Sequence, residues 1–210
     1  KNTQGHIYAA SNGFTDEACL LTELQDDGTL KISKYIGSDT VYVIPDEIDG
    51  KKVTSIGSDA FQKRTSLTSI TIPDGVTDIE QYAFEGCTSL SDITLPDSLT
   101  SIGLSAFESC TALTDIALPD SLTYIGGLAF ANCTSLKTVT VPASVTFIGG
   151  WAFGYYFEDG NIDARVAFDD FTINYTKHTA GHLYAIENGF TDESCLVSQL
   201  QDDGTVQITQ

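Results

Sequence analysis

The chain has 210 residues and carries 29 acidic against 10 basic side chains, a formal net charge of −19. That balance excludes the clustered Lys and Arg that a polyanion requires, so nucleic acid is not an expected partner, and it argues equally against an electrostatic membrane anchor. No apolar run approaches the roughly 20 residues needed to span a bilayer; no secretory leader is present, and the chain reads as starting within a longer protein.

Residues 1–13 predict a short helix ended by Asn12-Gly13, a common C-cap pair, and Phe14 to Leu21 forms a junction. Leu21 to Gln25 and Leu30 to Lys34 flank Asp26-Asp-Gly-Thr29, which predicts a β-hairpin. Strand character continues from Tyr35 to Ser55, where Val41-Tyr-Val-Ile-Pro45 ends in proline. From there a fixed period takes over. Alanine of an Ala-Phe pair falls at Ala60, Ala83, Ala106, Ala129 and Ala152, and proline at Pro73, Pro96, Pro119 and Pro142, always 23 residues apart. From Pro45 to Pro73 the spacing is 28, which places a five-residue insertion at about Glu47 to Lys51. Such a period marks a solenoid, in which each unit stacks on the last.

Aligned on Pro96, one repeat reads Leu90, Ile93, Leu95, Pro96, Leu99, Ile102, Gly103, Ala106, Phe107, Cys110. Ile93 and Leu95 share one face of a short strand, which proline stops because it has no N–H for a neighbouring coil. Leu99 and Ile102 form a second inward pair, Gly103 permits a turn that a Cβ would hinder, and Ala-Phe-x-x-Cys predicts one tight helical or 3₁₀ turn. Equivalent strands should lie about 4.8 Å apart in a parallel ladder. After Trp151-Ala-Phe153 the period breaks. Gly154 to Asp170 reads as an irregular acidic loop with Tyr155, Tyr156 and Phe157, then Phe171 to Tyr175 as a strand and Ala180 to Glu187 as a helix before Asn188-Gly189.

A longer repeat joins the two ends: residues 1–34 align with 177–210 at an offset of 176, with 21 identities in 34. The simplest reading is a stretch of a tandem array of blocks, and arrays of modest binders gain by multivalency.

The pattern L-x-x-I-x-L-P-x-x-L-x-x-I-G-x-x-A-F-x-x-C, running from about Val43 to Gly154, resembles the BspA-like, or treponemal-type, leucine-rich repeat of bacterial surface proteins. The resemblance implies a right-handed leucine-rich-repeat solenoid, rich in β and turns, with extracellular display and roles in adhesion or recognition. It also implies a β-hairpin opening cap at 21–51, repeats at 52–153 and a strand–helix exit cap within 154–189. On that scheme residues 1–20 are the tail of a preceding block's cap with its junction, and 190–210 start the next block. The first repeat departs from the pattern, with Lys63-Arg64-Thr65 at the cysteine step.

Little in the chain points to catalysis. Cys87, Cys110 and Cys133 stand one repeat apart and should form an inward ladder of buried thiols acting as small apolar residues; zinc finds no His beside them and no C-x-x-C. His6 and His182 occupy one position of the long repeat, and His178 lacks a convergent Ser, Cys or carboxylate motif. Asp159-Gly-Asn161-Ile-Asp163 begins like a calcium loop, with Asp170 at its twelfth position. However, Ala164 stands where that loop needs glycine and Arg165 follows it, so no metal or other cofactor is assigned.

The expected binding face comprises the outward strand positions: Thr71, Asp92, Thr94 and Asp115, with Asp78, Ser101, Tyr124 and Phe147 at one equivalent position of the second stretch. Aromatics accumulate toward the C-terminal coils, where Trp151 and Tyr155 join Tyr124 and Phe147. They read either as exposed anchors for a protein or a sugar ring or as rings hidden under the exit cap. The leading expectation is a non-enzymatic binding module, secreted or at the cell surface, recognising an extracellular or host protein. Carbohydrate recognition and a structural spacer within a tandem-block protein are the alternatives.

Overall fold

The computed structural model describes residues 19–157, 165–168 and 170–189, and the backbone of 199–200 and 206–207. The helix expected over residues 1–13, the Asp159–Asp163 motif, His6 and most of 190–210 lie outside the described residues.

Strands β1 (Leu20–Leu24) and β2 (Leu30–Tyr35) form the hairpin, joined through Gly28 at φ +87°. β2 then runs parallel to β5 (Lys51–Ile56), because Leu30 and Ile32 bury their side chains where a coil of the stack would. The insertion before β5 is itself a hairpin: β4 (Glu47–Ile48) returns against β5 through Asp49 and Gly50, both at positive φ, as a two-residue type I′ connection demands. Beyond β5 the parallel ladder continues through β7 (Asp78–Ile79), β9 (Ser101–Ile102), β10 (Tyr124–Ile125) and β12 (Phe147–Ile148), partners lying 23 residues apart. Thr77, Thr100, Thr123 and Thr146 fasten this ladder: each donates its N–H to the carbonyl of the equivalent Thr one coil earlier, and Thr100, Thr123 and Thr146 add their hydroxyls.

A second ladder carries the strands ahead of each proline. β3 (Val41–Val43) pairs with β6 (Ser69–Thr71) and β6 with β8 (Asp92–Thr94); separately, β11 (Thr138–Val141) pairs with β15 (Thr172–Tyr175). The expected continuous ladder is interrupted: Asp115 to Leu118 form no strand. Two residues oppose pairing there. Asp115 would stand opposite Asp92, and like charges directly across a ladder repel; Ala117 replaces the β-branched Thr of the neighbouring coils. As a result Ile93, Leu95 and Leu118 are only half-buried, whereas Ile70, Ile72, Val139 and Val141 are fully so.

The Ala-Phe segment is neither α nor 3₁₀ helix. Its preceding residue is left-handed in every coil, at Asp59, Tyr82, Ser105, Leu128 and Trp151 (φ 52–58°), and a second left-handed residue follows the phenylalanine at Lys63, Gly86, Ser109 and Asn132. Non-glycine residues accept this conformation only where the surroundings enforce it. Here three N–H groups of each coil, such as Tyr82, Phe84 and Gly86, donate to carbonyls of the next coil, Leu104, Ala106 and Glu108, at 2.8–2.9 Å. Every one of these bonds runs in the same sense along the stack. Gly103 is needed for close packing rather than for a turn: a Cβ there would lie 2.6 Å from the backbone nitrogen of Gln81.

The core is one ring stack. Phe61, Phe84, Phe107, Phe130 and Phe153 follow each other at 5.0–5.1 Å between centroids, with Tyr35 stacked at the front and Tyr184 edge-on at the back. Beside it, the thiols of Cys87, Cys110 and Cys133 donate to the carbonyls of Phe61, Phe84 and Phe107. Arg64 takes the cysteine's place in the first coil and donates to the Tyr35 carbonyl instead, so Tyr35 stands in for a missing phenylalanine.

The segment read as an irregular loop contains an antiparallel pair, β13 (Tyr155–Phe157) with β14 (Arg165–Ala167). After β15, helix α1 (Ala180–Glu187) ends at Asn188 and Gly189, the latter at φ +73°. A further antiparallel pair, β16 (Gln199–Leu200) with β17 (Val206–Gln207), repeats the β1–β2 arrangement.

Candidate functional site

The expected site residues fall on three separate surfaces. Thr71, Asp92, Thr94 and Asp115 lie along the interrupted ladder, Thr71 half-buried and the others exposed. Asp92 accepts the Ser69 hydroxyl at 2.9 Å. Asp115 borders an open depression of about 340 Å³, lined by Ile116, Ala117, Leu118, Thr138 and Pro142, where the two coils part. Trp151, 36% exposed, sits on the turn face at its left-handed position.

Of the two readings of the C-terminal aromatics, Tyr155 follows the covered one and is not a displayed ring. It is half-buried, and its hydroxyl donates toward the carbonyl and side-chain oxygens of Asn188 at the end of α1, at 3.2 and 3.3 Å. Tyr156 stacks on Phe168 at 5.5 Å. These rings pack at the C-terminal end of the repeat stack, where the Asn132 N–H donates to the Tyr155 carbonyl as it would to a further coil.

Tyr124 and Phe147 behave differently. They are in register on β10 and β12, 42% and 49% exposed, with rings 5.0 Å apart and 8° from parallel. Parallel strands place equivalent side chains on one face, so Asp78, Ser101, Tyr124 and Phe147 form one continuous outward row. Leu104, 39% exposed, lies in the same coil as Ser101 and passes above Gly127 of the following coil. The Asp78 carboxylate accepts the neighbouring Thr77 hydroxyl at 2.6 Å. Lys31, farther along the row, is taken up by Glu23 and Glu80 at 3.2 and 3.4 Å. The row therefore runs from a carboxylate, over a small hydroxyl, to a pair of rings.

The reactive groups are structural. Burial pushes the Cys87 and Cys133 thiols up to about 12 and Cys110 well above its ordinary value, which leaves each protonated and a poor nucleophile. His182 stacks on Tyr175 at 5.1 Å and accepts the backbone N–H of His178; partial burial, His178 and Lys177 all lower its pKa. Among the described residues no three His, Cys, Asp or Glu side chains converge as a metal ion would need, and no helix is long and apolar enough to cross a membrane.

Sequence reasoning missed the threonine fastening and the half-buried Glu108, whose carboxyl burial pushes up. A 23-residue recurrence of threonine at Thr77, Thr100, Thr123 and Thr146 is the signal that carried the first. The second has no signal in an acidic chain.

No match was found among curated proteins. The family model described as BspA type leucine rich repeat region matches residues 43–157 in six copies. Among solved structures, a leucine-rich repeat protein of T. pallidum is 39% identical with a TM-score of 0.64, covering 64% of this chain and 64% of its own. A leucine-rich cell surface protein of Faecalibacterium prausnitzii is 33% identical with a TM-score of 0.64, covering 78% of this chain and 42% of its own. A leucine-rich repeat protein of Bacteroides ovatus is 29% identical with a TM-score of 0.59, covering 84% of this chain and 46% of its own. This chain thus spans less than two thirds of each of these proteins. With more than half of its residues matched in register by the repeat model, the chain belongs to the BspA-type leucine-rich repeat family.

Proposed function

We propose that this chain is a non-enzymatic binding module of a secreted or cell-surface bacterial protein, engaging an extracellular protein through the row that ends in Tyr124 and Phe147. One observation carries the reading. The Phe61–Phe153 stack is wholly buried, whereas Tyr124 and Phe147 repeat the same ring geometry on the outside. Stacked rings at the surface preorganise a rigid apolar anchor, the kind of group that dominates protein interfaces. The F. prausnitzii relative, described as a cell surface protein, supports the location. If further blocks follow at the 176-residue spacing, each contributes avidity.

The test is binding of the chain to an array of extracellular proteins, beside an array of glycans. Protein hits lost in Tyr124→Ala or Phe147→Ala, with the melting temperature within about 4 °C of the parent chain, support the reading. Protein hits untouched by both variants move recognition to another face of the chain, and silence at high concentration replaces the reading with a structural spacer. Hits confined to glycans replace it with carbohydrate recognition.

A further inference from the structure

We propose that the Asp78–Ser101–Tyr124 portion of the row is a receptor slot for an arginine side chain of the partner, whose guanidinium lies over Ser101 between the Tyr124 ring and the Asp78 carboxylate. The inference rests on the proposed reading of the row as a recognition face.

Geometry sets the slot. Asp78, Ser101 and Tyr124 are consecutive in-register positions, so the outer two are separated by two ladder spacings, roughly 9.6 Å. A flat group in van der Waals contact with both walls needs about 3.5–4 Å on each side, or roughly 7–8 Å in all. Ser101 is the small residue that leaves this space open; a larger side chain there would fill it. One face of the Tyr124 ring is covered by Phe147, and its other face turns toward Ser101.

Chemistry selects the guest. The ring offers a negative quadrupole face and Asp78 a full negative charge, so a cation gains from both walls. The only cation along the row, Lys31, is already held by Glu23 and Glu80. Guanidinium is planar, always charged and more weakly hydrated than ammonium, which suits a flat, partly wet slot. Exposed Asp74, Asp97 and Asp120, one in each neighbouring coil, and a net charge of −19 draw a basic segment toward the face. A neutral pyranose would gain stacking alone.

The test uses the peptide acetyl-Gly-Arg-Gly-Arg-Gly-amide, titrated into the chain at low salt and followed by the Tyr124 aromatic NMR resonances. Its comparators are the citrulline counterpart, which keeps the shape and removes the charge, and maltotriose. Expected are binding of the arginine peptide on the order of tenfold tighter than citrulline, and no response to maltotriose at the same concentration. Asp78→Asn should weaken the arginine peptide about three- to fivefold. Ser101→Leu, which fills the slot at constant charge, should weaken it about tenfold, and Asp97→Asn should change it less than twofold. Equal binding of citrulline, an Asp97→Asn effect as large as that of Asp78→Asn, or full binding by Ser101→Leu overturns the slot. If array hits vanish in Tyr124→Ala yet persist in Asp78→Asn and Ser101→Leu, the recognition face stands and the arginine slot falls.

Discussion

Phe107→Ala separates the contribution of burial from that of ring stacking. Phe107 is fully buried between Phe84 and Phe130, each at 5.1 Å and within 9° of parallel. Truncation removes a core ring and leaves a cavity between two coils, a change that costs about 3–5 kcal/mol. Two ring pairs are lost as well, each worth about 0.5–1.5 kcal/mol beyond area, much of it already within that range. Taking about 4 kcal/mol, and roughly 2–4 °C per kcal/mol for a chain of this size, the melting temperature should fall by about 8–16 °C. Phe147 stacks on Tyr124 with nearly the same geometry but is 49% exposed. Phe147→Ala should therefore cost about 1 kcal/mol or less. Urea unfolding followed by circular dichroism, with calorimetry, compares the two variants directly. Equal losses in both would refute the reasoning, because stacking alone would then hold the coils.

Gly126→Ala should destabilise by about 1–3 kcal/mol, since its Cβ would lie 2.5 Å from backbone atoms of Gly103 and Leu104; Gly150→Ala, with nothing within 4 Å, should be neutral or slightly stabilising in the same melts. Tyr184→Phe should cost about 1–3 kcal/mol and speed hydrogen exchange at the Phe153 amide, because the tyrosine hydroxyl accepts that N–H at 2.9 Å and donates to the Phe153 carbonyl at 3.0 Å. An unchanged exchange rate would sink this account of the Tyr184–Phe153 contact. Burial raises the Glu108 carboxyl above its ordinary value, Glu85 adds to the shift and the Ser105 hydroxyl opposes it. The folded chain then holds that proton more tightly than the unfolded one, so the stability it contributes at acid pH is lost as pH rises through the raised value. Glu108→Gln should accordingly stabilise at pH 7, with its advantage vanishing below about pH 4; a gain equal at both values would count against the assignment.

The architecture was legible because its signals are local and repeated. Ala-Phe, the strand-ending prolines and the helix stopped by Asn188-Gly189 each carry their meaning within a few residues. The outward row was legible too, since Tyr124 and Phe147 recur at a position filled elsewhere by Asp78 and Ser101. The left-handed residues were not. Asp59, Tyr82, Ser105, Leu128 and Trp151 share no preference for positive φ; the bonds to the next coil impose it, and those exist only once the coils have stacked. The break at Asp115 escaped for a related reason, because a single repeat looks normal until Asp92 is placed opposite. The sequence left Tyr155 open between a surface and a covered ring because nothing nearby announces Asn188, 33 residues away.

The one-way bonding of the Ala-Phe face gives the molecule a grammar of growth. Each interior coil presents acceptors backward and donors forward, so on this face the backbone bonds of one coil match those of any other and none matches reversed. Only the ends differ: the Tyr35 amide meets the acceptors of the first coil at Ala60, and the Tyr184 hydroxyl meets a donor of the last at Phe153. Slipped replication that duplicates or deletes one unit therefore leaves both end pieces with unaltered tasks. Such a protein can lengthen or shorten over generations, moving its outward row relative to its ends, without inventing a new terminus each time.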